Sequence, residues 1–279
     1  MAAKVRGDLK ARVESLKEKG IIPCLAVILV GEDPGSISYV KGKQKALAEA
    51  GMDGRDIRLP ETVPEEELLS IIVSLNADDK VHGILLQLPL PGHIREDLVI
   101  QAIDPRKDVD SFHPISMGKL LLGQDGFLPC TPHGILVLLR EQNIAVSGSH
   151  VVVVGRSNIV GKPLALLLAR REQNATVTLC HTGTKELSSH TLQADILIAA
   201  AGKAGLITGD MIKKGAAVID VGVNRLPLAQ GSAKLVGDVV FDEALKKAAW
   251  ITPVPGGVGP MTIAMLMVNV VQASETFLN

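Results

Sequence analysis

Short apolar runs alternate with helical patterns along most of this chain. The runs have the length of strands, as in CLAVILVG (24–31), GILLQLPLP (83–91) and DILIAAAG (195–202). A strand that is apolar on both faces is typical of a parallel sheet covered by helices on both sides. Aromatic residues make up only 2% of the chain, so Val, Ile, Leu and Ala must build the cores. The pattern predicts an α/β fold.

Helix boundaries are indicated by turn and capping residues. Apolar residues at helical spacing predict a first helix that ends at Gly20. Ser36 is expected to cap a second helix that ends at Gly51, and Pro64 is expected to open a third.

The chain has 279 residues, which is enough for about two domains. A first βα series is followed by a stretch at 104–126 where the pattern loosens and where DPRKDVDSFHP (104–114) is polar and turn-rich. A second series begins at VVVVG (151–155). The helical pattern TPHGILVLLREQ (131–142) lies between the two series and could bridge them.

Composition excludes several classes of function. The formal net charge is −1 and no basic stripe or polybasic segment occurs, so neither nucleic acid nor a membrane surface is an expected partner. No apolar run is long enough for a membrane span, and no signal peptide is expected. Three widely spaced cysteines indicate reduced thiols and a cytoplasmic location. No spacing of histidines predicts a metal site.

A glycine turn follows the strand in VVVVGRSNIVGKP (151–163). Gly155 and Gly161 would let a phosphate approach backbone N–H groups at a helix N-terminus, as in dinucleotide-binding folds. An ATP-binding P-loop is rejected because Pro163 follows Lys162 where a magnesium-binding hydroxyl is required. A purely structural strand-to-helix turn remains the alternative.

The second strand of this series, TVTLC (176–180), ends without the carboxylate that usually binds a free ribose 2′-hydroxyl. Arg156 lies in the glycine turn instead. An arginine without a nearby acid favours the 2′-phosphate of NADP over NAD. A solvated turn arginine is the alternative interpretation.

The stretch SYVKGKQKA (38–46) holds the only tyrosine of the chain. Tyr39 and Lys43 are four residues apart and share a helix face, whereas Lys41 and Lys45 point well away from Tyr39. Only Lys43 could act on one ligand together with Tyr39. By residue type alone, all three lysines are more typical of a solvated surface.

Five segments carry a resemblance to a known family: GILLQLPLP, DVDSFHP (108–114), PCTPHGI (129–135), GRSNIVGKP (155–163) and TPVPGGVGPMT (252–262). In order and spacing they resemble the signature segments of the bifunctional methylenetetrahydrofolate dehydrogenase/methenyltetrahydrofolate cyclohydrolase family, over essentially the whole chain. Members oxidise 5,10-methylenetetrahydrofolate with NADP and hydrolyse the 5,10-methenyl product to 10-formyltetrahydrofolate. The resemblance implies the same two activities here, with tetrahydrofolate derivatives as substrates.

The resemblance also implies a two-domain architecture. We expect a three-layer α/β folate domain over 1–125, completed by a closing helix at 258–279. A Rossmann-type NADP-binding domain is expected over 126–257, with a cleft between the two. The resemblance further implies a homodimer.

The site residues follow from the same resemblance. Lys43 matches the family's catalytic lysine, and we expect it to be the acid/base of hydrolysis, held by Gln87. Tyr39 would contact the pterin or aminobenzoyl ring, and Asp110 would hold the pterin. Asp108 is expected to be structural. The remaining implied contacts are Leu88, Pro255, Gly256 and Gly257 for the folate, and Gly155, Arg156, Ser157, Thr182 and Val223 for the cofactor.

The chain departs from the family pattern at several positions. Ser111 stands where the family has Gly, which would cost backbone freedom, and Ser116 stands where Asn is frequent. Thr182-Gly183 replaces a Ser followed by a cation, so NADP preference would rest mainly on Arg156 and NAD would be tolerated. The family begins with a short strand and a DGK-like turn, whereas this chain begins at MAAKVR, so that piece is missing or the start site was placed late. If it is missing, a neighbouring strand edge would be exposed.

Two other functions are weighed against this one. A different two-domain nicotinamide dehydrogenase would need an arginine for a substrate carboxylate, but Arg55, Arg58, Arg95 and Arg106 lie in no recognisable motif. A non-catalytic folate- or nucleotide-binding protein would be expected to lack Lys43 or Gln87, and both are present.

Overall fold

A computed structural model describes residues 1–227 and 233–276. The chain divides into two compact units. One contains Met1–Cys130 and the stretch that begins at Ile263, and the other is Thr131–Thr262. Both are built on parallel sheets connected by helices, so the predicted two-domain α/β fold is confirmed. The structure divides after 130 and after 262, where the sequence placed the domain boundaries after 125 and after 257.

The first unit is built on a three-stranded parallel sheet in the order β2-β1-β3. Its strands are β1 (Cys24–Val30), β2 (Asp53–Leu59) and β3 (Gly83–Leu86). The helices in its first 130 residues are α1 (Ala2–Glu18), α2 (Pro34–Glu49), α3 (Glu65–Ala77), α4 (Glu96–Ala102) and α5 (Pro114–Leu122).

The central strand β1 is apolar throughout, and all seven of its side chains are buried. Because successive side chains of a strand point to opposite faces, the sheet must be covered on both sides. On one face Ala26, Ile28 and Val30 pack in a single apolar cluster with residues of α3 and α4. The unit is therefore layered as the apolar pattern predicted.

The second unit is built on a five-stranded parallel sheet in the order β10-β7-β6-β4-β5. Its sheet strands are β4 (His150–Val154), β5 (Thr176–Cys180), β6 (Ile196–Ala199), β7 (Ala217–Asp220) and β10 (Trp250–Ile251). A separate antiparallel pair consists of β8 (Asn224–Pro227) and β9 (Ala233–Val236). The helices that lie wholly within the second unit are α7 (Gly161–Ala169), α8 (Leu187–Thr191) and α9 (Phe241–Ala244). Two further helices, α6 (Cys130–Glu141) and α10 (Val258–Thr276), contain residues of both units.

Strand order places a ligand-binding position in each unit. In an open parallel sheet, ligands bind at the carboxyl ends of strands where the strand order reverses direction. That point lies between β1 and β3 in the first unit, next to Gln87, and between β4 and β6 in the second, next to Gly155. Both residues were predicted site residues.

The capping prediction for α2 is wrong. The helix begins at Pro34, and its N-cap is Asp33, whose Oδ2 accepts a hydrogen bond from the Ser36 backbone N–H at 2.7 Å. Proline at the first helical position leaves no N–H to satisfy, so the aspartate immediately before it is the better cap. The predicted end is correct, because Gly51 adopts a φ of +73° directly after the helix.

Within 1–227 and 233–276, no helix is both long enough and apolar enough to cross a membrane.

Candidate active site

Lys43 is a buried lysine in a helix that otherwise exposes its lysines. Its side chain is 8% exposed, whereas Lys41 and Lys45 on the same helix are exposed to solvent. Tyr39, one turn earlier, leaves 40% of its surface exposed. Helical spacing therefore separated the three lysines correctly: only the one on the face of Tyr39 enters the interior.

Gln87 holds the Lys43 ammonium group. The Lys43 Nζ donates a hydrogen bond to Gln87 Oε1 at 3.0 Å, and Gln87 Nε2 donates to the carbonyl oxygen of Leu88 at 2.9 Å. Gln87 follows β3 directly, and its backbone N–H continues the sheet by donating to Ile28 O. The amide is thus fixed at both ends and presents a neutral acceptor to the lysine.

The charge of Lys43 is set by burial and by one carboxylate. Burial lowers the pKa of Lys43 below its usual value, and the negative charge of Asp110 partly opposes this effect. Burial likewise raises the pKa of Asp110, while Lys43 lowers it. The neutral amine therefore becomes accessible at a lower pH than in a solvated lysine.

Asp108 has a structural role in the same loop. Its carboxylate accepts hydrogen bonds from the backbone N–H groups of Phe112 and His113, and from Ser116 Oγ at 2.6 Å. With its acceptors occupied in this way, Asp108 fixes the turn that carries Asp110. This matches its assignment as a structural residue.

Ser111 adopts the conformation that favours glycine. Its φ is +62°, and its buried hydroxyl donates to Phe127 O at 2.9 Å. A left-handed conformation disfavours a residue with a Cβ, and the hydrogen bond offsets part of that cost. The departure from glycine is thus accommodated locally.

A small pocket lies beside this loop. Asp110, Leu88 and Phe112 line it, together with apolar residues of β3 and α4 and the loop residues Ile103 and Asp108. The Leu88–Pro89 peptide bond is cis. Among the predicted folate contacts, Lys43, Gln87, Leu88 and Asp110 therefore belong to one neighbourhood of the first unit.

The glycine turn of the second unit has no room for a side chain. Gly155 has a φ of +127°, and a Cβ there would lie 2.0 Å from Ala200 O. A Cβ on Gly161 would lie 1.9 Å from Gly155 O. Both glycines are required by backbone packing at the point where β4 and β6 diverge, which leaves the N-terminus of α7 next to the turn.

The other predicted cofactor residues surround this turn. Arg156 and Ser157 follow Gly155 and are exposed, and the Ser157 hydroxyl accepts from the N–H groups of Val160 and Gly161 at 3.2 and 3.4 Å. Thr182 follows β5 and is exposed, and Val223 follows β7 and is 45% exposed. All stand at carboxyl ends of strands in one sheet.

The segment TPVPGG (252–257) lies in the second unit and directly precedes α10. The Val254–Pro255 bond is cis, and Gly256 has a φ of +102° with no atom within 4 Å of the position that a Cβ would take. A Cβ on Gly257 would lie 2.4 Å from Pro253 O, so that glycine is needed by the loop itself. Of these two glycines, Gly256 alone has open space around it.

Comparison with known proteins identifies the family. Residues 1–110 match the catalytic domain of tetrahydrofolate dehydrogenase/cyclohydrolase, and residues 129–278 match the NAD(P)-binding domain of the same family. The chain belongs to the tetrahydrofolate dehydrogenase/cyclohydrolase family. The resemblance found in the sequence is thereby confirmed.

Individual relatives agree over nearly the full length. The bifunctional protein FolD of Bacillus mycoides is 57% identical over 275 residues, which span 99% of this chain and 94% of that protein. The bifunctional FolD enzyme of Campylobacter jejuni is 52% identical with a TM-score of 0.94, covering 99% of this chain and 96% of its own. The FolD of Trypanosoma brucei, solved with NADP cofactor and an inhibitor, is 38% identical with a TM-score of 0.96, covering 100% and 96%.

Sequence analysis missed two residues, Cys130 and Asn269. Both donate to the carbonyl oxygen of Val109, which immediately precedes Asp110. Cys130 is buried and its Sγ donates to Val109 O at 3.4 Å, and burial with the adjacent Asp110 charge raises the pKa of its thiol well above the usual value. Asn269, on α10, donates to Val109 O and Leu128 O. Cys130 lies within the PCTPHGI segment, which was the available signal, whereas nothing in the local sequence singled out Asn269.

The NAD(P)-binding domain also contains two buried carboxylates that organise its loops. Asp220 ends β7 and accepts from the backbone N–H groups of Gly222, Asp238 and Val239 at 2.9–3.1 Å. Asp238 accepts from the N–H groups of Ala201 and Gly202. The pair therefore ties together the loops after β6 and β7, including the one that carries Val223.

We expect Asp220 to make stability depend on pH. Burial raises the pKa of Asp220 to about 6 from 3.8. Between these values the folded chain keeps a proton that the unfolded chain has lost, so this contribution to the free energy of unfolding falls as pH rises through the window, by up to about 3 kcal/mol. Asp220→Asn has no such titration. Urea unfolding at several pH values should therefore show the wild type's advantage over Asp220→Asn largest at about pH 4 or below and smallest at pH 7.

Asp195→Asn is the matched control, because that carboxylate is surface-exposed and its pKa is lowered by Lys213. The free energy of unfolding of the wild type relative to Asp195→Asn should therefore rise, not fall, as the pH is raised. A difference between wild type and Asp220→Asn that is constant with pH would contradict the raised pKa.

No group of three or more His, Cys, Asp or Glu residues that could hold a metal ion occurs in the part of the chain that the structure describes.

Proposed function

We propose that this chain is a bifunctional one-carbon folate enzyme. It oxidises 5,10-methylenetetrahydrofolate to the 5,10-methenyl form with NADP, and it hydrolyses that product to 10-formyltetrahydrofolate. Membership of the tetrahydrofolate dehydrogenase/cyclohydrolase family supports both activities. The observation that carries the proposal is the buried Lys43 bound to the neutral amide of Gln87.

Hydrolysis needs a base that can be neutral near physiological pH. Water must lose a proton as it attacks the cationic methenyl carbon, and a ring nitrogen must gain one as its bond to that carbon breaks. Lys43, with its pKa lowered by burial, takes the first proton in its neutral form and returns it in the second step. Gln87 orients the amine without fixing its charge, because an amide accepts from either protonation state.

The other folate residues bind and orient the substrate. Tyr39 presents an exposed aromatic face for stacking, and Asp110 can accept N–H bonds from the aminopyrimidinone edge of the pterin. Leu88 lines the adjacent cavity. Pro255, Gly256 and Gly257 are included in the folate site on the family resemblance.

The glycine turn fits a dinucleotide. Gly155 and Gly161 bring backbone close to the start of α7, at the strand-order switch where such cofactors bind. Arg156 would hold the 2′-phosphate, and Ser157, Thr182 and Val223 would complete the contact. A bound oxidised NADP would supply the acceptor for the hydride of the methylene carbon. The chain's own contribution to this step is to orient the two reactants and exclude water.

Glycine at position 183, directly after Thr182, supports tolerance of NAD. The family has a cation where this chain has Gly183. The cation expected to bind the 2′-phosphate is therefore Arg156, in the glycine turn. A homodimer is proposed with the enzyme on the family resemblance. A cytoplasmic location agrees with the buried free thiols of Cys24, Cys130 and Cys180.

A two-cofactor turnover assay tests the proposal. Purified protein is mixed with 5,10-methylenetetrahydrofolate and either NADP or NAD, and nicotinamide reduction and the methenyl chromophore are followed together. We expect reduction with NADP, slower reduction with NAD, and a methenyl signal that decays as hydrolysis proceeds. Added methenyltetrahydrofolate should be hydrolysed without any nicotinamide. No turnover with either cofactor and no hydrolysis of the methenyl form would overturn the proposed function.

A further inference from the structure

Asn269 is a buried polar residue in an apolar helix. It is 1% exposed, and its neighbours on α10 include buried Met265, Leu266 and Val270. An amide buried without hydrogen-bond partners is unfavourable by several kcal/mol on apolar-transfer scales, so such a residue needs acceptors. Its partners show what it does for the fold.

Both Nδ2 hydrogens of Asn269 are used on backbone far away in the sequence. The amide donates to Val109 O at 2.8 Å and to Leu128 O at 2.9 Å. Its nitrogen also lies 3.6 Å from Cys130 Sγ. One side chain on the closing helix thus ties together the loop segments that precede and follow α5, which are also joined by the bonds from Ser111 Oγ to Phe127 O and from Cys130 Sγ to Val109 O.

Those two segments carry the groups around the proposed base. Val109 immediately precedes Asp110, and Leu128 is two residues before Cys130. The Cys130 thiol donates to the same Val109 carbonyl at 3.4 Å. Asp110 and Cys130 are also the two titratable groups whose charges act on Lys43. The tie therefore sits directly behind the carboxylate that faces the lysine.

We propose that Asn269 is a positioning residue for methenyl hydrolysis, which fixes the Asp110 and Cys130 segments against Lys43 through its two backbone hydrogen bonds. The inference rests on the proposed function. Asn269 itself contacts backbone and the Cys130 sulfur, and it acts on the reaction through Asp110. Neither the family resemblance nor the local sequence assigned it a role.

The test compares Asn269→Leu with Ser274→Ala. Leucine has the same number and branching of side-chain heavy atoms as asparagine but donates no hydrogen bond, so the helix packing is largely kept and the tie is lost. Ser274 is equally buried on the same helix, but its hydroxyl donates only to Val270 O within that helix. We expect Asn269→Leu to lower kcat for methenyl hydrolysis about tenfold, since small displacements of catalytic groups have effects of this order. Ser274→Ala should stay within about twofold, and NADP affinity should be unchanged in both.

The pH profile of hydrolysis supplies a readout that loss of packing would not move. Lys43 is influenced by Asp110 and Cys130, and Asp110 in turn by Asp108. Freeing Asp110 removes part of the charge that favours the protonated lysine. The limb of the profile that reports Lys43 should therefore move to lower pH by about half a unit in Asn269→Leu.

Each outcome decides the matter. A folded Asn269→Leu protein with wild-type kcat and an unmoved profile overturns the inference, and so does an equal loss in Ser274→Ala. If the leucine variant does not fold, Asn269→Ser, which keeps one donor, is measured in the same way, and a wild-type kcat with an unmoved profile in that variant overturns the inference. The wild type is assayed alongside: a wild type that does not hydrolyse the methenyl substrate overturns the proposed function and this inference with it, whereas an active wild type with an equally active variant overturns only this inference.

Discussion

Replacing Lys43 with methionine should lower the rate of methenyl hydrolysis by about 10³-fold or more, which lies within the range assigned to a general acid/base. Methionine fills the space of the lysine stem but cannot accept or return a proton. Because Lys43 is 8% exposed and its charge acts on Asp110, the substitution removes one member of a buried pair, so the melting temperature should fall while the protein stays folded. The measurement is the decay of the methenyl chromophore, with thermal unfolding recorded for the same samples.

The loss of stability should be small, because Gln87, the hydrogen-bond partner of Lys43, keeps its other hydrogen bonds. Gln87 loses the hydrogen bond at its Oε1, but its Nε2 keeps the bond to Leu88 O and its backbone stays in the sheet. Folate should therefore still bind to the variant. NADP affinity should also be unchanged, because the proposed cofactor residues all belong to the other unit.

Two further variants separate the base from a simple positive charge. Lys43→Arg keeps a cation in place, but a guanidinium is not deprotonated near neutral pH, so hydrolysis should be lost as in Lys43→Met. Lys41→Met changes an exposed lysine of the same helix and should leave hydrolysis at the wild-type rate. If Lys43→Met hydrolysed at the wild-type rate, the base would have to lie elsewhere. Full activity in Lys43→Arg would indicate an electrostatic role instead.

The βα rhythm was sufficient to predict the architecture, because buried strands and their covering helices leave a local apolar period. It was not sufficient for α5, which lies inside the stretch where the pattern loosens and no helix was predicted. The signals were present: Pro114 begins the helix and Gly123 ends it in the left-handed conformation. The cap, however, is His113, whose Nδ1 accepts from the Ile115 N–H. Histidine is not a preferred N-cap, so local propensity favoured a loop.

The candidate site likewise contains residues that the sequence singled out and one that it did not. Lys43 was distinguished from its neighbours by helical period, and Gln87 and Gly155 by their positions at strand ends, all of which are short-range features. Asn269 was not found, because its partners Val109 and Leu128 are more than a hundred residues earlier in the chain. A single asparagine in an apolar helix is equally compatible with many partners, and only the folded chain selects one.

Replacing Gly155 with alanine should strongly weaken NADP binding and lower the melting temperature. The added Cβ would lie 2.0 Å from Ala200 O and 2.6 Å from Ala200 C, both backbone atoms. It would also have to adopt a φ of +127°, which residues with a side chain rarely do. Overpacking and backbone strain of this kind together destabilise by about 3 kcal/mol or more.

Neither side of the contact can move away cheaply. The Gly155 N–H donates to Cys180 O at 2.9 Å, and the Ala200 N–H donates to Val154 O at 2.8 Å. Both residues are therefore held by the sheet at the ends of adjacent strands. Relieving the contact would require β4 and β6 to separate at the switch point, which would displace the turn that carries Arg156 and Ser157. NADP affinity should consequently fall by about 100-fold or more, as expected when a backbone cradle loses its geometry.

Gly148→Ala is the matched control for Gly155→Ala. Gly148 lies in the same unit and has a φ of +78°, but no atom lies within 4 Å of its Cβ position. It therefore incurs the conformational penalty of about 1 kcal/mol without a collision, and its NADP affinity should match the wild type. NADP titration by calorimetry and thermal unfolding measure both effects. Wild-type NADP affinity in Gly155→Ala, or an equal loss of affinity in Gly148→Ala, would show that the close approach of Gly155 to Ala200 does not shape the cofactor site.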